Sequence, residues 1–136
     1  MKLTVLPLLF LFAVMVTAYP ANGVKSPALN QSFDLKVGET ASVQGSRMKI
    51  SFKTVAEDSR CPEDVTCVWA GNAKIILSIT NGGRGATTLT LNSGLNPKHL
   101  TYQGYDIKLA DVKPLQNTHK KISQSDYVIT LAVTKI

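Results

Sequence analysis

The chain has few of the residues from which most enzyme sites are built. Among its 136 residues are two histidines, two cysteines and one tryptophan. His99 follows Pro97-Lys98 and His119 lies in a lysine-rich stretch, and neither sits in a motif that pairs it with a nucleophile. A side-chain triad therefore has no sequence support, and both histidines read as surface residues. No glycine-rich loop opens a helix to cradle a phosphate, since Asn81-Gly82-Gly83-Arg84-Gly85 reads as a hairpin turn. Metal binding would need more ligands than two thiols, and His99, His119 and Met48 stand far off with no ligand spacing. Glu63 and Asp64 offer only the oxygen ligands of a weak calcium site, so no metal and no cofactor is expected. Basic residues are scattered, Lys120-Lys121 being the one adjacent pair, and no basic run interleaves with aromatics. Nucleic acid is thereby set aside as a partner, although the net charge of +6 leaves a weak attraction to acidic glycans or anionic lipid.

Helical spacing and internal repeats are also missing, and past the N-terminus no apolar run approaches membrane length. The N-terminus itself places Lys2 ahead of an almost unbroken apolar run from Leu3 to Ala18, the layout of a secretory signal peptide. That run is shorter than the roughly 20 residues of a spanning helix, so stable membrane insertion is not expected after cleavage. Small or β-branched residues at Val16 and Ala18 place the cut after Ala18, which gives a signal peptide over 1–18 and a secreted or periplasmic protein. Residues 19–31, rich in Pro, Gly, Asn, Ser and Ala, read as a flexible leader, and 32–136 as one domain.

From Ser32 onward apolar residues recur with period two, the repeat of a strand with one wet and one buried face. Phe33 and Leu35, then Ile50 and Phe52, then Ile75 and Leu77 follow this rule, as do Leu89 and Leu91, Ile107 and Leu109, and Ile129 and Leu131. The last strand is apolar enough on both faces to be central or well covered. Seven to eight short strands separated by turn chemistry predict an all-β fold, an antiparallel β-sandwich immunoglobulin-like in architecture, with those residues between the sheets. An exposed edge strand in such a fold is able to pair two copies.

The unusual stretch is Glu57 to Ala73, which holds both cysteines and the tryptophan. In an exported chain Cys61 and Cys67 are most simply a disulfide closing a small ring, stiffened further by Pro62. Cys67, Trp69 and Gly71 have the spacing of one strand face, which lets Trp69 cover the disulfide or the end of the core. A redox role would need two intervening residues at a helix start, an arrangement absent from this pattern. A ring already held rigid loses less entropy on docking, which suits recognition. The acids Glu57, Asp58, Glu63 and Asp64 include the carboxylate pair a glycosidase needs, but a small sandwich lacks the cleft, and they read as a solvated turn pairing with Arg60.

Asp58-Ser59-Arg60-Cys61-Pro62, followed by Val65-Thr66-Cys67-Val68-Trp69-Ala70-Gly71, resembles a DSRCP-x-x-V-x-C-V-W-A-G motif of small secreted bacterial proteins of unassigned function. Tyr105 to Pro114 and Tyr127 to Val133 are similar to the same group. The resemblance implies an exported β-rich domain and carries over no catalytic residue. The cysteine spacing differs from that of immunoglobulin domains, where two distant cysteines bridge the sheets.

Together these features predict a non-enzymatic binding or interaction module, with Arg60, Pro62, Glu63, Asp64 and Trp69 as candidate contacts and an extracellular or periplasmic protein or glycan as partner. The alternatives are a secreted protease inhibitor, using this ring or the Gly82 to Gly85 hairpin, and a small extracytoplasmic hydrolase that would depend on an acidic residue or His119.

Overall fold

The computed structural model describes residues 24–136. The expected signal peptide and the first leader residues lie outside that range. The described residues form nine strands: β1 (Val24–Lys25), β2 (Ser32–Lys36), β3 (Thr40–Ser42), β4 (Met48–Asp58), β5 (Ala73–Asn81), β6 (Thr87–Asn92), β7 (His99–Tyr102), β8 (Tyr105–Lys113) and β9 (Val128–Lys135). One sheet has the order β1-β3-β4-β5-β6 and the other β2-β9-β8-β7. Every pairing is antiparallel except that of β1 with β3. The result is the expected β-sandwich.

The period-two pattern places the core as expected. Leu35, Ile50, Phe52, Ile75, Leu77, Leu91, Ile107, Ile129 and Leu131 are fully buried, and Leu109 nearly so. Phe33 and Leu89 are only half-buried. Each sits on a strand at a sheet margin, β2 or β6, where a neighbour covers one side alone. β9 lies between β2 and β8, the central place that its two apolar faces indicate. Val55 and Val112 break the alternation and are nevertheless buried, because the ladder shifts register between Phe52 and Thr54 in β4 and between Leu109 and Asp111 in β8. A bulge inserts one residue and returns the next apolar side chain to the core face.

The nine strands exceed the expected seven to eight, and β7 and β1 are the unforeseen ones. β7 pairs with β8 around Gln103-Gly104, whose φ angles of 46° and 85° make the tight two-residue turn that keeps strands in register. β1 arises within the segment read as leader. Val24 pairs with Thr40, the Gln44 amide donates to the Pro27 carbonyl at 2.8 Å, and the Asn30 amide donates to the Val133 carbonyl at 2.9 Å. The ordered chain thus begins before Ser32, and Leu29 packs against the core.

Candidate functional site

β4 and β8 both bulge and then end at the same end of the sandwich, releasing the two loops that form the site. After Asp58 the chain leaves β4, makes the cysteine ring, and re-enters at Ala73 as β5. The two legs of this excursion pair with each other. The Ser59 amide donates to the Asn72 carbonyl at 2.7 Å, and the Cys61 amide to the Ala70 carbonyl at 2.8 Å. Beyond them the Cys61–Cys67 disulfide closes the ring, with Cα atoms 5.9 Å apart. Gly71 is required at the base: its φ is +73°, and a Cβ there would lie 1.9 Å from the Ser59 carbonyl oxygen.

Under the ring lies a charged centre. Arg60 Nε and Nη2 donate to the two Asp58 carboxylate oxygens at 2.8 and 2.7 Å, a forked pair whose side chains are 12% and 7% exposed. The remaining arginine donors reach the Val112 carbonyl at 2.7 Å and the Pro114 carbonyl at 2.9 Å, where β8 ends. Tyr127 donates its hydroxyl to Asp58 at 2.8 Å, and the Gln116 side chain donates to the Asp58 carbonyl at 2.8 Å. Burial pushes the Asp58 carboxyl up, but the hydrogen bonds from Arg60, and with them that from Tyr127, outweigh it and hold the group below its ordinary value. The same contact with Asp58 raises the arginine above its ordinary value, against the opposing effect of burial. Tyr127 is pushed up to about 12 by burial and by the carboxylate beside it. All three shifts favour one ionic arrangement that ties β4, the ring, the end of β8 and β9 together.

The acids of the ring also turn toward the protein. The Glu63 amide donates to the Gln116 carbonyl at 2.8 Å, and the Glu63 carboxylate accepts from Asn117 at 3.3 Å. Asp64 accepts from the Thr118 amide at 3.0 Å and from the Thr118 hydroxyl; the hydroxyl, and then the amide, lower its carboxyl below the ordinary value. His119 stands 3.7 Å from Asp64 with its side chain 87% exposed. A cavity of about 760 Å³ opens where this loop meets the ring, between Glu63, Leu115, Lys120, Lys121, Ile122 and neighbouring residues. Among the described residues no group of three or more histidines, cysteines and acids is placed to hold a metal ion, and no helix is long and apolar enough to cross a membrane.

The large apolar side chains of this segment point outward. Val68 is 106% exposed, Trp69 74% and Val65 46%. The chain matches no family model, no curated protein and no solved structure. Trp69 covers neither the disulfide nor the core, contrary to the strand-face expectation. No strand runs from Cys67 to Gly71, and the chain bends at Val68 and Trp69, so the extended alternation that would have turned the indole inward is broken there.

The sequence-predicted site residues divide accordingly. Arg60 and Asp58 form an internal pair, Pro62 is half-buried, Glu63 and Asp64 tie the ring to residues 116–118, and Trp69 is exposed. Several supporting residues had no signal in the sequence. Buried Asn72 donates to Asn92 at 2.9 Å and accepts from the Gly94 and Leu95 amides, fixing the ring's return leg to the loop after β6. Gln124 donates to the Val55 carbonyl and accepts from the Val55 amide, closing the backbone groups that the β4 bulge leaves open. An asparagine or glutamine of this kind is indistinguishable in sequence from a surface one, because its partners lie 20 or 69 positions away.

Proposed function

We propose that this chain is an exported, non-enzymatic interaction module that engages a partner protein through the Cys61–Cys67 ring, with Trp69 and Val68 as the principal contacts. One observation carries the reading: two large apolar side chains stand in solvent on a loop fixed by a disulfide, by paired legs and by the Asp58–Arg60 centre beneath. Indole anchors dominate many protein interfaces, and a pre-ordered loop gives up less entropy when it docks. Arg60 acts in this reading as a positioning residue, and Glu63 and Asp64 set the angle of the ring. A disulfide persists in oxidising compartments, and with the signal-like N-terminus and the bacterial resemblance this supports a secreted or periplasmic location.

The test is capture from the extracellular or periplasmic fraction of the source cells on immobilised protein lacking residues 1–18. Wild type is expected to retain a partner that Trp69→Ala and Val68→Ser lose, while melting temperatures agree within a few degrees. Equal retention by wild type and both variants would overturn the reading. Inhibition of a secreted protease that disappears in the same variants would identify the partner as that protease. Ester or glycoside turnover abolished by Glu63→Gln or His119→Ala would refute the non-enzymatic assignment.

A further inference from the structure

Three of the four sheet margins are short, charged or occupied. β1 has two residues, and β7 has four and carries the exposed His99–Asp106 pair. β2 bears Asp34 and Lys36, and the Lys25 ammonium donates to the Asp34 carbonyl at 2.7 Å. These are the devices by which edge strands are kept from pairing with another chain. Over Thr87 to Leu91, β6 has none of them. Its sequence, Thr87-Thr88-Leu89-Thr90-Leu91-Asn92, contains no charge and no proline, and its register with β5 is unbroken.

Two hydrogen bonds fix which way its backbone faces. The Ser93 amide donates inward to the Ala73 carbonyl of β5 at 3.0 Å, while the Asn92 amide donates outward to the Pro97 carbonyl at 2.8 Å. In an antiparallel ladder the N–H and C=O of one residue point the same way and alternate along the strand. Leu91, Leu89 and Thr87 therefore face β5, and Thr90 and Thr88 present both backbone groups outward. Neither makes a backbone bond beyond the sheet among the described residues. Leu89 is half-buried at this margin.

We propose that β6 pairs with β6 of a second copy of this chain, antiparallel and two-fold symmetric about Leu89. The window Thr88-Leu89-Thr90 reads the same in both directions, so Thr88 of each copy meets Thr90 of the other and the outward groups close four backbone hydrogen bonds. On the outer face the pair continues a row of hydroxyl residues already aligned across the sheet, Thr40, Ser51, Ser78 and Thr88. On the inner face Leu89 covers Leu89. β-Branched and hydroxyl pairs of this kind stabilise cross-strand contacts. Pairing stops at Asn92, whose amide is already bonded, so the strip is short and falls below the roughly 1,000 Å² that a stable complex buries. The dimer is consequently weak and concentration-dependent. Added salt strengthens it, because the net positive charge of each copy is screened while the uncharged strip is unaffected.

Sedimentation equilibrium of the protein lacking residues 1–18, up to the millimolar range and at two salt concentrations, tests this directly. Wild type is expected to shift toward dimer with concentration and with salt, and Thr90→Lys and Thr88→Pro to remain monomeric. Both substitutions leave the bonds to β5 intact, so the variants should melt within a few degrees of wild type. Should a variant fail to fold, wild-type amide exchange decides: the Thr88 and Thr90 amides must slow as concentration rises. Wild type that stays monomeric throughout, folded variants that dimerise as wild type does, or amides indifferent to concentration would overturn the proposal. Pairing of β6 with a foreign strand in a monomeric wild type would likewise overturn it.

Discussion

Replacing Arg60 by alanine removes four side-chain hydrogen bonds at once and leaves the Asp58 carboxylate, 7% exposed, with only the Tyr127 hydroxyl and the backbone amide of residue 60 as donors. The Val112 and Pro114 carbonyls lose their arginine donor as well. Breaking a mostly buried ion pair from one side costs about 3 kcal/mol or more, since the remaining charge stays desolvated and unpaired. For a domain of this size that lowers the melting temperature by roughly 10–20 °C. Urea and thermal unfolding followed by far-ultraviolet circular dichroism are the appropriate assays, because Trp69 is too exposed to report on the core. Arg60→Lys should recover only part of the loss, since an ammonium cannot fork to two carboxylate oxygens and reach two carbonyls. The pH dependence has a definite sign. The Asp58 carboxyl is held below its ordinary value in the fold, so its stabilisation is complete above about pH 4 and disappears as pH falls through the lower folded value. Without Arg60, burial pushes that carboxyl up instead, and the gap between variant and wild type should narrow in acid. A loss below about 1 kcal/mol at neutral pH, or a gap that widens in acid, would refute the role given to this pair.

Further outcomes follow from the same geometry. Cys61→Ser with Cys67→Ser should cost about 2 kcal/mol in urea unfolding, the loop entropy of a small ring, while the strands persist. Gly71→Ala should destabilise by more than about 1 kcal/mol in the same assay, because its φ is positive and the added Cβ meets the Ser59 carbonyl. In alkali, Tyr127 has a folded value of about 12, above its unfolded value, so its contribution is intact below about pH 10 and is lost as pH rises toward 12. A spectrophotometric titration should find a late phenol that is absent in Tyr127→Phe.

The sandwich was legible because nearly every strand repeats apolar residues with period two, and β9 announces its central place by being apolar on both faces. The Gly82-Gly83 turn was legible from composition and has the expected positive φ angles of 67° and 79°. β7 is not evident in the sequence although Gln103-Gly104 marks its hairpin, since four residues with only Leu100 and Tyr102 turned to the core carry little periodicity. Two of the three register shifts hide in sequence as a three-residue step, Phe52 to Val55 and Leu109 to Val112, which reads as a lapse in the pattern until the ladders show the shift. In the site, the closed ring was legible from cysteine spacing, and the pairing of an acid with Arg60 from proximity in the chain. That this pair lies beneath the loop, with Arg60 bound to carbonyls 52 and 54 positions away, depends on where β8 ends. The direction of Trp69 depends in turn on the bend at Val68 and Trp69, which a strand-like spacing conceals.

The most direct measurement on the ring uses the chain's one tryptophan. Labelled as 5-fluorotryptophan, Trp69 supplies a single fluorine resonance, to be followed while the partner retained in the capture experiment is titrated in. If the ring is the contact surface, that resonance shifts or broadens in proportion to the bound fraction, and its exposure to a soluble paramagnetic agent falls. A resonance that keeps its position, width and exposure while the complex forms would contradict the proposed role of the ring.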